Sequence, residues 1–368
     1  MVADEKCTGC GACRVACPMG AIALKEETGG LKPRIDRELC TECGACERVC
    51  PVAGKAVIPQ HSMRKADLFV NNNFFDRGVS SSGGFFKALS DYVFSKHGVV
   101  YGAAWCNEYT AVNMVRIKNP DDIYQCMESK YIQADTCNTF HEVEEDLRSG
   151  RLVLYAGTPC QIAGLHGCLG QDYENLLTLE VFCHGVPAVH LWQSYLRDYH
   201  GHEDVIRYVH FRYKRRGWWE AQMKIQYAHN EYLSSFRNTN DSYMFVFLNN
   251  YSLNQACYDC PFRKREHAGD FYIGDAWNIN KIKQNMDDDR GISMVVTLTE
   301  KAEKILSEVS KGNNVFPVTL EEGVCSSKDL FQSKMRPAIW EKFQQKVWDE
   351  GFKSAYELIM EERSTNGK

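Results

Sequence analysis

The sequence predicts an α/β protein in which a small cysteine-rich domain precedes a larger domain built on a mixed, largely parallel sheet. Three observations predict this architecture. A twelve-residue cysteine motif occurs twice near the start, strand-like and helix-like segments then alternate, and 44% of the 368 residues are hydrophobic. At roughly 150 residues per domain, this length suits two or three domains.

The repeated motif reads CTGCGACRVACP at residues 7–18 (the first copy) and CTECGACERVCP at residues 40–51 (the second copy). Both copies have the spacing C-x2-C-x2-C-x3-C-P, in which three cysteines bind one 4Fe–4S cluster and the fourth binds the other cluster. Residues 1–62 are therefore predicted to be a two-cluster ferredoxin-like domain. The predicted ligands are Cys7, Cys10, Cys13 and Cys50 for the first cluster, and Cys40, Cys43, Cys46 and Cys17 for the second.

Zinc sites and disulfides are the alternatives for these cysteines. Zinc sites favour two cysteine pairs over a triplet with a fourth member. The first residues contain no apolar stretch typical of a secretory signal, so we expect a cytoplasmic protein with reduced thiols. Iron–sulfur binding is the interpretation that fits both the spacing and the compartment.

Residues 63–368 are predicted to form the larger domain, with an N-terminal part at about 63–150 and a C-terminal part at about 151–320. Apolar periodicity predicts helices at 83–98, 139–150 and 188–199, and a short helix that begins at 158. Strands are predicted at 99–105, 151–157 and 176–183, and further strands near 205–213, 222–228, 270–276 and 292–298 are expected to extend the same sheet. The segment 321–368 is predicted to be a helical tail, as a cap or a contact in a homo-oligomer.

Composition excludes several classes of protein. The 43 Lys and Arg against 48 Asp and Glu give a net charge of −5, which argues against nucleic acid as a partner. No run approaches the roughly 20 apolar residues of a membrane span. No G-x-G-x-x-G or Walker-A loop follows a predicted strand, so neither a Rossmann-type site nor a P-loop is supported.

Four later cysteines are candidates for a further metal centre. Cys160 and Cys183 each lie just past a predicted strand, at the edge of an open sheet where ligands bind. Cys257 and Cys260 form a C-x2-C pair. From spacing alone, these four residues (the third cysteine set) are a third iron–sulfur cluster, a structural zinc site or unrelated core cysteines.

Eight segments, in order, resemble a known family across nearly the whole chain. The family is that of the β subunits of coenzyme F420-reducing hydrogenase and formate dehydrogenase, in the bacterial form with a fused two-cluster ferredoxin. Its superfamily also includes 7-hydroxymethyl chlorophyll a reductase. The segments are SSSGGFFKAL (80–89), GVVYGAAW (98–105), SKYIQAD (129–135), GTPCQIAGL (157–165), FCHGVPAVHLWQSYL (182–196), FRYKRRGWW (211–219), CYDCPFR (257–263) and GDFYIGDAW (269–277).

The resemblance implies an iron–sulfur oxidoreductase that contains FAD, with a third 4Fe–4S cluster on the third cysteine set. It places two loops at the flavin. SSGG opens a predicted helix, where free N–H groups favour a phosphate, and a lysine supplies positive charge to a pyrophosphate. Without the resemblance, an N-cap at Ser82 and a surface Lys130 are the simpler interpretations. The implied flavin contacts are Ser81, Ser82, Gly83 and Gly84 of the first loop, and Ser129, Lys130 and Tyr131 of the second.

Candidate catalytic residues lie at predicted strand ends. Asp275 is a candidate for contact with flavin or substrate, with a turn aspartate as the alternative. His184 is a candidate proton carrier or a structural histidine. The basic run from Arg212 to Arg216 either binds an anion or forms a solvated strand edge. The chain departs from the family pattern at Phe85, Asp270 and Asn278, which leaves the substrate open.

These features predict an enzyme that passes electrons between 4Fe–4S clusters and an organic substrate through FAD. The substrate is coenzyme F420 or another reducible small molecule, and the redox partner is a ferredoxin or another electron donor or acceptor protein. A non-catalytic electron-transfer subunit of a larger complex is the alternative, and an enzyme acting on a polysaccharide or isoprenoid precursor is a third hypothesis.

Overall fold

A computed structural model of the chain describes residues 3–201, 205–235, 241–283, 285–325 and 330–365. The strands are β1 (Ile22–Glu27), β2 (Gly30–Ile35), β3 (His61–Ser62), β4 (Lys65–Val70), β5 (Val99–Cys106), β6 (Ala111–Ile117), β7 (Ala134–Asp135), β8 (Val153–Gly157), β9 (Leu176–Val181), β10 (Ile206–Tyr213), β11 (Gln222–Tyr227), β12 (Glu231–Ser235), β13 (Glu266–His267), β14 (Phe271–Asp275), β15 (Ser293–Thr297) and β16 (Asn314–Val318). The α-helices are α1 (Ala12–Val15), α2 (Ala45–Arg48), α3 (Phe74–Val79), α4 (Phe85–Ser95), α5 (Thr139–Arg148), α6 (Pro159–Leu169), α7 (Val189–His200), α8 (Ser242–Leu248), α9 (Ile279–Ile282), α10 (Glu300–Val309), α11 (Trp340–Glu350) and α12 (Phe352–Thr365).

The two copies of the cysteine motif adopt the same local structure. In each copy a glycine in the left-handed region precedes a one-turn helix, with φ +80° at Gly11 before α1 and +70° at Gly44 before α2. Between the copies, β1 and β2 form an antiparallel hairpin in which Ile22 lies opposite Ile35. The repeated sequence therefore produces a repeated fold.

Nine strands form the central sheet of the larger domain, in the order β16-β4-β15-β14-β9-β8-β5-β6-β7. The four strands β14, β9, β8 and β5 run parallel at its centre. Antiparallel strands flank them, with β15, β4 and β16 on one side and β6 on the other. The predicted α/β class with a mixed sheet is confirmed, and its parallel part is the centre.

Helices cover both faces of this sheet. Neighbouring side chains of a strand point to opposite faces. Val100 of β5 accordingly packs with α4 and α10, whereas Tyr101 packs with α5 and α6. The helices predicted at 83–98, 139–150 and 188–199 correspond to α4, α5 and α7, within a few residues at each end.

The prediction that the strands near 205–213 and 222–228 extend the central sheet is wrong. These strands, β10 and β11, pair with β12 in a separate antiparallel sheet of three strands. One face of this small sheet packs on α7 and α8, where Phe211, Ile225, Trp192 and Tyr243 are buried together. The small sheet thus has a core of its own.

Among the described residues of the tail, the first α-helix begins at Trp340. Glu321–Cys325 forms a π-helical turn, and residues 333–337 form no helix. Phe343 of α11 and Phe352 of α12 are buried in the core of the small sheet. The two tail helices therefore cap this core within the chain.

The parallel strands place their carboxyl ends at one edge. β8 ends at Gly157, β9 at Val181 and β14 at Asp275, and a large cavity opens there. Among the helices of the described ranges, none has the length and hydropathy of a membrane-spanning segment.

Candidate iron–sulfur and flavin site

The four cysteines assigned to the first cluster line one small cavity. Its wall includes Cys7, Cys10, Cys13 and Cys50, and Cys46 of the second set also reaches it. Cys50 belongs to the second copy of the motif, so the structure brings together the four cysteines that the spacing assigns to one cluster.

The thiols of the first copy lie in a dry environment. Burial raises the pKa of Cys13 to about 12, and the neighbouring Cys7 and Cys50 add to this rise. The backbone N–H of Gly9 opposes the burial effect at Cys7, and that of Ala12 opposes it at Cys10. Hydrogen bonds from N–H groups to the sulfur atoms are among the features that set the potential of 4Fe–4S clusters. The residues therefore fit a cluster.

The cysteines assigned to the second cluster lie nearer the surface. Cys43 is exposed and Cys40, Cys46 and Cys17 are half-buried. The N–H of Ala21 donates to Sγ of Cys17 at 3.3 Å, as expected beside a cluster sulfur.

The third cysteine set converges at the edge of the sheet. Cys160 lies in the first turn of α6, Cys183 follows β9, and Cys257 lies in a 3-10 turn at Gln255–Asp259. Burial raises the pKa of Cys160 and Cys257, and the charges of the other cysteines in the set raise both further. Burial also raises the pKa of Cys183 to about 11, and Cys260 contributes to that rise.

Packing contacts support this convergence. A Cβ on Gly185 would lie 3.2 Å from Cβ of Cys257. Arg263, three residues after Cys260, donates to the carbonyl of Cys183 at 2.7 Å. Within the described ranges, no three His, Cys, Asp or Glu residues are arranged to hold a single metal ion.

The first cluster set and the third cysteine set are neighbours. On α6, Gly164 lies one turn after Cys160, and a Cβ on this glycine would lie 3.0 Å from Sγ of Cys10. The absence of a side chain at residue 164 therefore lets the first copy approach the helix that carries Cys160.

Polar contacts fix the first copy on the larger domain. Arg14 pairs with Asp135 of β7 at 2.6 Å and donates to the carbonyl of Cys137 at 2.5 Å. Thr136 donates to the carbonyl of Cys10 at 3.0 Å, and Gln133 donates to that of Thr8 at 3.1 Å. These contacts between the first copy and the larger domain could not be predicted, because cysteine spacing indicates metal ligands but not the partners of an Arg or a Gln.

A cavity of about 660 Å³ lies at the carboxyl ends of the parallel strands. Cofactor sites in proteins have volumes of about 300–1,000 Å³. The wall contains Cys160 and Cys183 of the third set, Thr8 and Gly9 of the first copy, and residues of both predicted flavin loops. The cavity therefore joins the cysteine sets to the loops that the resemblance assigns to the flavin.

The two predicted flavin loops contact each other directly. Oγ of Ser81 accepts a hydrogen bond from the N–H of Ser129 at 2.7 Å, and the two hydroxyl oxygens are 3.1 Å apart. Gly84, Phe85 and Phe86 place the first turn of α4 at the cavity wall. The unpaired N–H groups of a first helical turn favour an anion.

The two glycines of the first loop allow it to pack closely against the sheet. A Cβ on Gly83 would clash with the carbonyl of Phe69 and the N–H of Ser293. Gly84 has φ +87° and is itself the residue that precedes α4, so Ser82 is not the N-cap. Instead, Ser82 donates to the carbonyl of Ile292 at 2.7 Å. These residues hold the loop against the sheet.

Lysines stabilise both loops from behind. Lys130 is not a solvated surface residue, because its Nζ donates to the carbonyl of Met127 at 2.8 Å and burial lowers its pKa. Lys214 donates to the carbonyls of Arg77 at 2.8 Å and Ser82 at 3.1 Å. Burial lowers the pKa of Lys214 to about 7, and the charges of Arg212 and Arg77 add to this effect.

Asp275 is part of a buried network rather than a turn. Its carboxylate pairs with Arg212 at 2.6 Å and accepts from the indole N–H of Trp218 at 3.3 Å. Trp218 stacks on Trp277 with ring centroids 4.4 Å apart, and Arg212 lies over the same Trp277 ring. The basic run is thus divided, since Arg212 and Lys214 point inward whereas Arg215 and Arg216 are exposed.

His184 lines the same cavity and packs against Phe247 with ring centroids 4.9 Å apart. Burial lowers its pKa to about 4, and the charges of Lys334 and Arg263 lower it further. Its imidazole is therefore neutral at neutral pH.

Glu128 is a further residue that sequence reasoning missed. It precedes the second flavin loop with φ +72°, and its carboxylate accepts from His210 at 2.6 Å and from Tyr208 at 2.7 Å. The two contacts stabilise a backbone conformation that glutamate rarely adopts. An isolated Glu carries no motif, so no sequence signal could have identified it.

Two protein-family models match separate parts of the chain. Residues 6–53 match the family model of the 4Fe-4S dicluster domain. Residues 150–318 match the family model of the C terminus of the coenzyme F420 hydrogenase/dehydrogenase beta subunit, and this range contains the third cysteine set. Both predicted flavin loops precede it.

One similar solved chain comes from the F420-reducing [NiFe] hydrogenase complex of Methanosarcina barkeri. It is 14% identical, the match covers 83% of this chain and 94% of that chain, and the TM-score is 0.49. A search of curated proteins finds no significant match.

The two matched domains define the class as an iron–sulfur redox protein. More specifically, the chain combines an N-terminal 4Fe–4S dicluster domain with a C-terminal region that matches the coenzyme F420 hydrogenase/dehydrogenase beta subunit family, as its motifs predict.

Proposed function

We propose that the protein is an iron–sulfur flavoprotein oxidoreductase that passes electrons between 4Fe–4S clusters and an organic substrate through FAD. The observation that carries this proposal is the 660 Å³ cavity, whose wall contains the Ser81 and Ser129 loops together with Cys160 and Cys183. When bound, FAD exchanges single electrons with clusters and electron pairs with organic molecules.

The three cysteine sets lie in series between solvent and this cavity. The second copy is exposed at Cys43, and Cys46 reaches the cavity of the first set. Cys10 of the first set packs against α6 near Cys160. The proposed route therefore runs from the second cluster through the first to a third cluster on Cys160, Cys183, Cys257 and Cys260.

The chain's own residues supply a cradle for FAD in the cavity. The first turn of α4 and the hydroxyls of Ser81 and Ser129 lie at the cavity wall, where they suit a phosphate of FAD, and Lys130 holds the second loop through the carbonyls of Met127 and Glu128. The bond between Ser81 and Ser129 keeps both loops at the distance that a single ligand needs.

The wall of the same cavity is suited to an anionic substrate. It includes Arg212, Arg263 and Lys334, with Trp277 and Phe247 as apolar surfaces. Asp275 holds Arg212 in place. We propose a reducible organic anion as the substrate, and the family name makes coenzyme F420 the first compound to assay.

A partner protein is proposed to dock on the second copy. Residues 36–39 and 41–43 are all exposed, and they include the carboxylates of Asp36, Glu38 and Glu42 against a single Arg37. Leu39 adds an exposed apolar side chain beside Cys40. The surface is therefore complementary to a redox protein with a basic rim.

The cofactor content of protein purified without oxygen tests the proposal. We expect about twelve irons per chain, from three clusters of four, and one FAD. Cys160→Ala should retain about eight irons, whereas Cys106→Ala, a control outside the three sets, should retain about twelve. About eight irons and no flavin in the unaltered protein would contradict the proposal and leave a non-catalytic electron-transfer subunit.

The flavin loops have their own test. Ser81→Ala removes the acceptor for the Ser129 N–H, and we expect FAD to dissociate about tenfold more readily, as measured by flavin fluorescence. Ser95→Ala, at the opposite end of α4, is the control. Equal FAD retention in the two variants would place the flavin elsewhere.

A further inference from the structure

Lys32 is a buried lysine in the ferredoxin-like domain. Its side chain lies on β2 and the residue is only 2% exposed. Directly opposite on β1 lies Lys25, which is exposed. Long cationic side chains are almost never fully buried unless they are paired, so the partner of Lys32 requires an explanation.

The hydrogen bonds of Lys32 do not neutralise its charge. Nζ donates to the carbonyl of Asp4 at 2.6 Å and to that of Cys7 at 3.1 Å. The carboxylate of Asp4 instead pairs with Arg34 at 2.9 Å. An ammonium group removed from water costs several kcal/mol unless an opposite charge lies nearby.

The ammonium group lies between the first cluster set and the third cysteine set. The 3-10 turn Asp4–Lys6, whose carbonyl binds Nζ, packs against the 3-10 turn Gln255–Asp259 that carries Cys257. Burial lowers the pKa of Lys32, and the charges of Cys7, Asp4, Cys257 and Glu27 oppose this effect. One buried cation thus lies within electrostatic reach of two cysteine sets as well as of two carboxylates.

We propose that Lys32 is the buried counter-charge of the first and third clusters and stabilises their reduced states. The inference rests on the proposed function, since it requires a third cluster. A 4Fe–4S cluster on four thiolates has a net negative charge, and reduction adds one electron without breaking a bond. Net charge is among the features that set the potential of such clusters, so a fixed cation raises both potentials.

The test is a redox titration followed by electron paramagnetic resonance on the fully loaded protein. Lys32→Met should shift the first and third cluster signals to more negative potential by about 59 mV or more, a tenfold change for one electron. The matched control Lys25→Met should shift neither signal. The second cluster, identified by its loss in Cys43→Ala, should move less than the other two.

Unchanged potentials in a Lys32→Met protein that holds all its iron would overturn the inference. Lys32→Arg, which keeps the charge, should retain the original potentials. Lys32→Gln replaces Lys32→Met as the neutral variant if the latter does not load its clusters.

A purely structural role gives a different result. If Lys32 served only its two hydrogen bonds, Lys32→Met would lose iron or stability while the potentials of the clusters that remain stayed unchanged, and that outcome would contradict the inference. Absence of the third cluster in the unaltered protein is a separate failure, which iron content reveals, and it refutes the proposed function.

Discussion

The two copies of the cysteine motif share eight of twelve positions and one backbone conformation, yet their surroundings are opposite. The first copy packs against β7 and α6 of the larger domain, and Cys7 is buried. The second copy faces solvent, and Cys43 is exposed. The same cysteine spacing thus occurs in an inner and an outer copy of the motif.

Positions at which the two copies differ in sequence reflect this difference in burial. Gly9 and Glu42 correspond, and both have positive φ, +68° and +54°. A Cβ on Gly9 would clash with Gln133, whereas Glu42 is exposed and has room for a side chain. The buried copy therefore requires glycine, while the exposed copy tolerates a strained glutamate.

A second pair of corresponding positions also differs according to whether the copy contacts the larger domain. Arg14 in the first copy binds Asp135 across the domain seam, and its counterpart Glu47 pairs locally with Lys55 at 2.5 Å. Differences between duplicated motifs thus identify which copy docks, even where the metal ligands are identical.

The largest expected effect comes from Gly9→Glu. The new side chain would occupy the space of Gln133 and Leu31 and bury a charge, so we expect destabilisation by about 3 kcal/mol or more. The denaturation midpoint and the iron content measure this change. A variant as stable as the unaltered protein would show that the first copy is not docked.

Arg14→Ala should have the next largest effect. It leaves Asp135 unpaired in a half-exposed seam, which we expect to cost about 1–2 kcal/mol after allowance for solvent screening. The matched change is Arg48→Ala in the second copy, where the guanidinium binds only the exposed carbonyl of Cys43. Equal losses of stability in the two variants would contradict the conclusion that the first copy, and not the second, is fixed on the larger domain.

Charge at the outer copy should affect electron exchange without affecting stability. Glu38→Lys is expected to slow electron uptake from a basic redox protein about fivefold at low salt, because it removes a negative charge that attracts the partner during diffusional encounter. The difference should disappear at about 1 M salt, where the screening length is roughly 3 Å. Stopped-flow reduction measures the rate, with Glu361→Lys on α12 as the control. An equal reduction in rate for both variants would place the docking surface elsewhere.

The smallest expected effect is a gain. Glu42→Gly should stabilise the protein by about 1 kcal/mol, because glycine adopts a positive φ without the steric cost of a side chain. Glu38→Gly, at a neighbouring exposed position without positive φ, should not stabilise. Thermal denaturation of the two variants distinguishes strain from a general effect of removing charge.

The predictable parts of this molecule are those with a strong local signal. Cysteine spacing predicts the cross-over of Cys50, and apolar periodicity predicts α4, α5 and α7. The separate sheet β10–β12 could not be predicted, because alternation identifies a strand but not the sheet to which it belongs.

In the candidate site, too, the contacts of single side chains with distant segments could not be predicted from the sequence. The resemblance assigns the Ser81 and Ser129 loops to one ligand, and the structure shows their direct hydrogen bond. The contacts of Gly83 and Lys130 could not be predicted from sequence, because each meets a carbonyl from a distant or neighbouring turn. Lys32 has the sequence context of an ordinary strand lysine, and only burial distinguishes it from Lys25.

The central claim is that electrons enter at the outer copy and reach the cavity through the inner one. Rapid-mixing reduction of Cys43→Ala tests it most directly, with the unaltered protein as reference and a protein reductant as donor. The account predicts that loss of the second cluster abolishes fast reduction of the flavin and of the third cluster by that donor, while an organic hydride donor still reduces the flavin. Undiminished reduction by the protein donor in this variant would contradict the account.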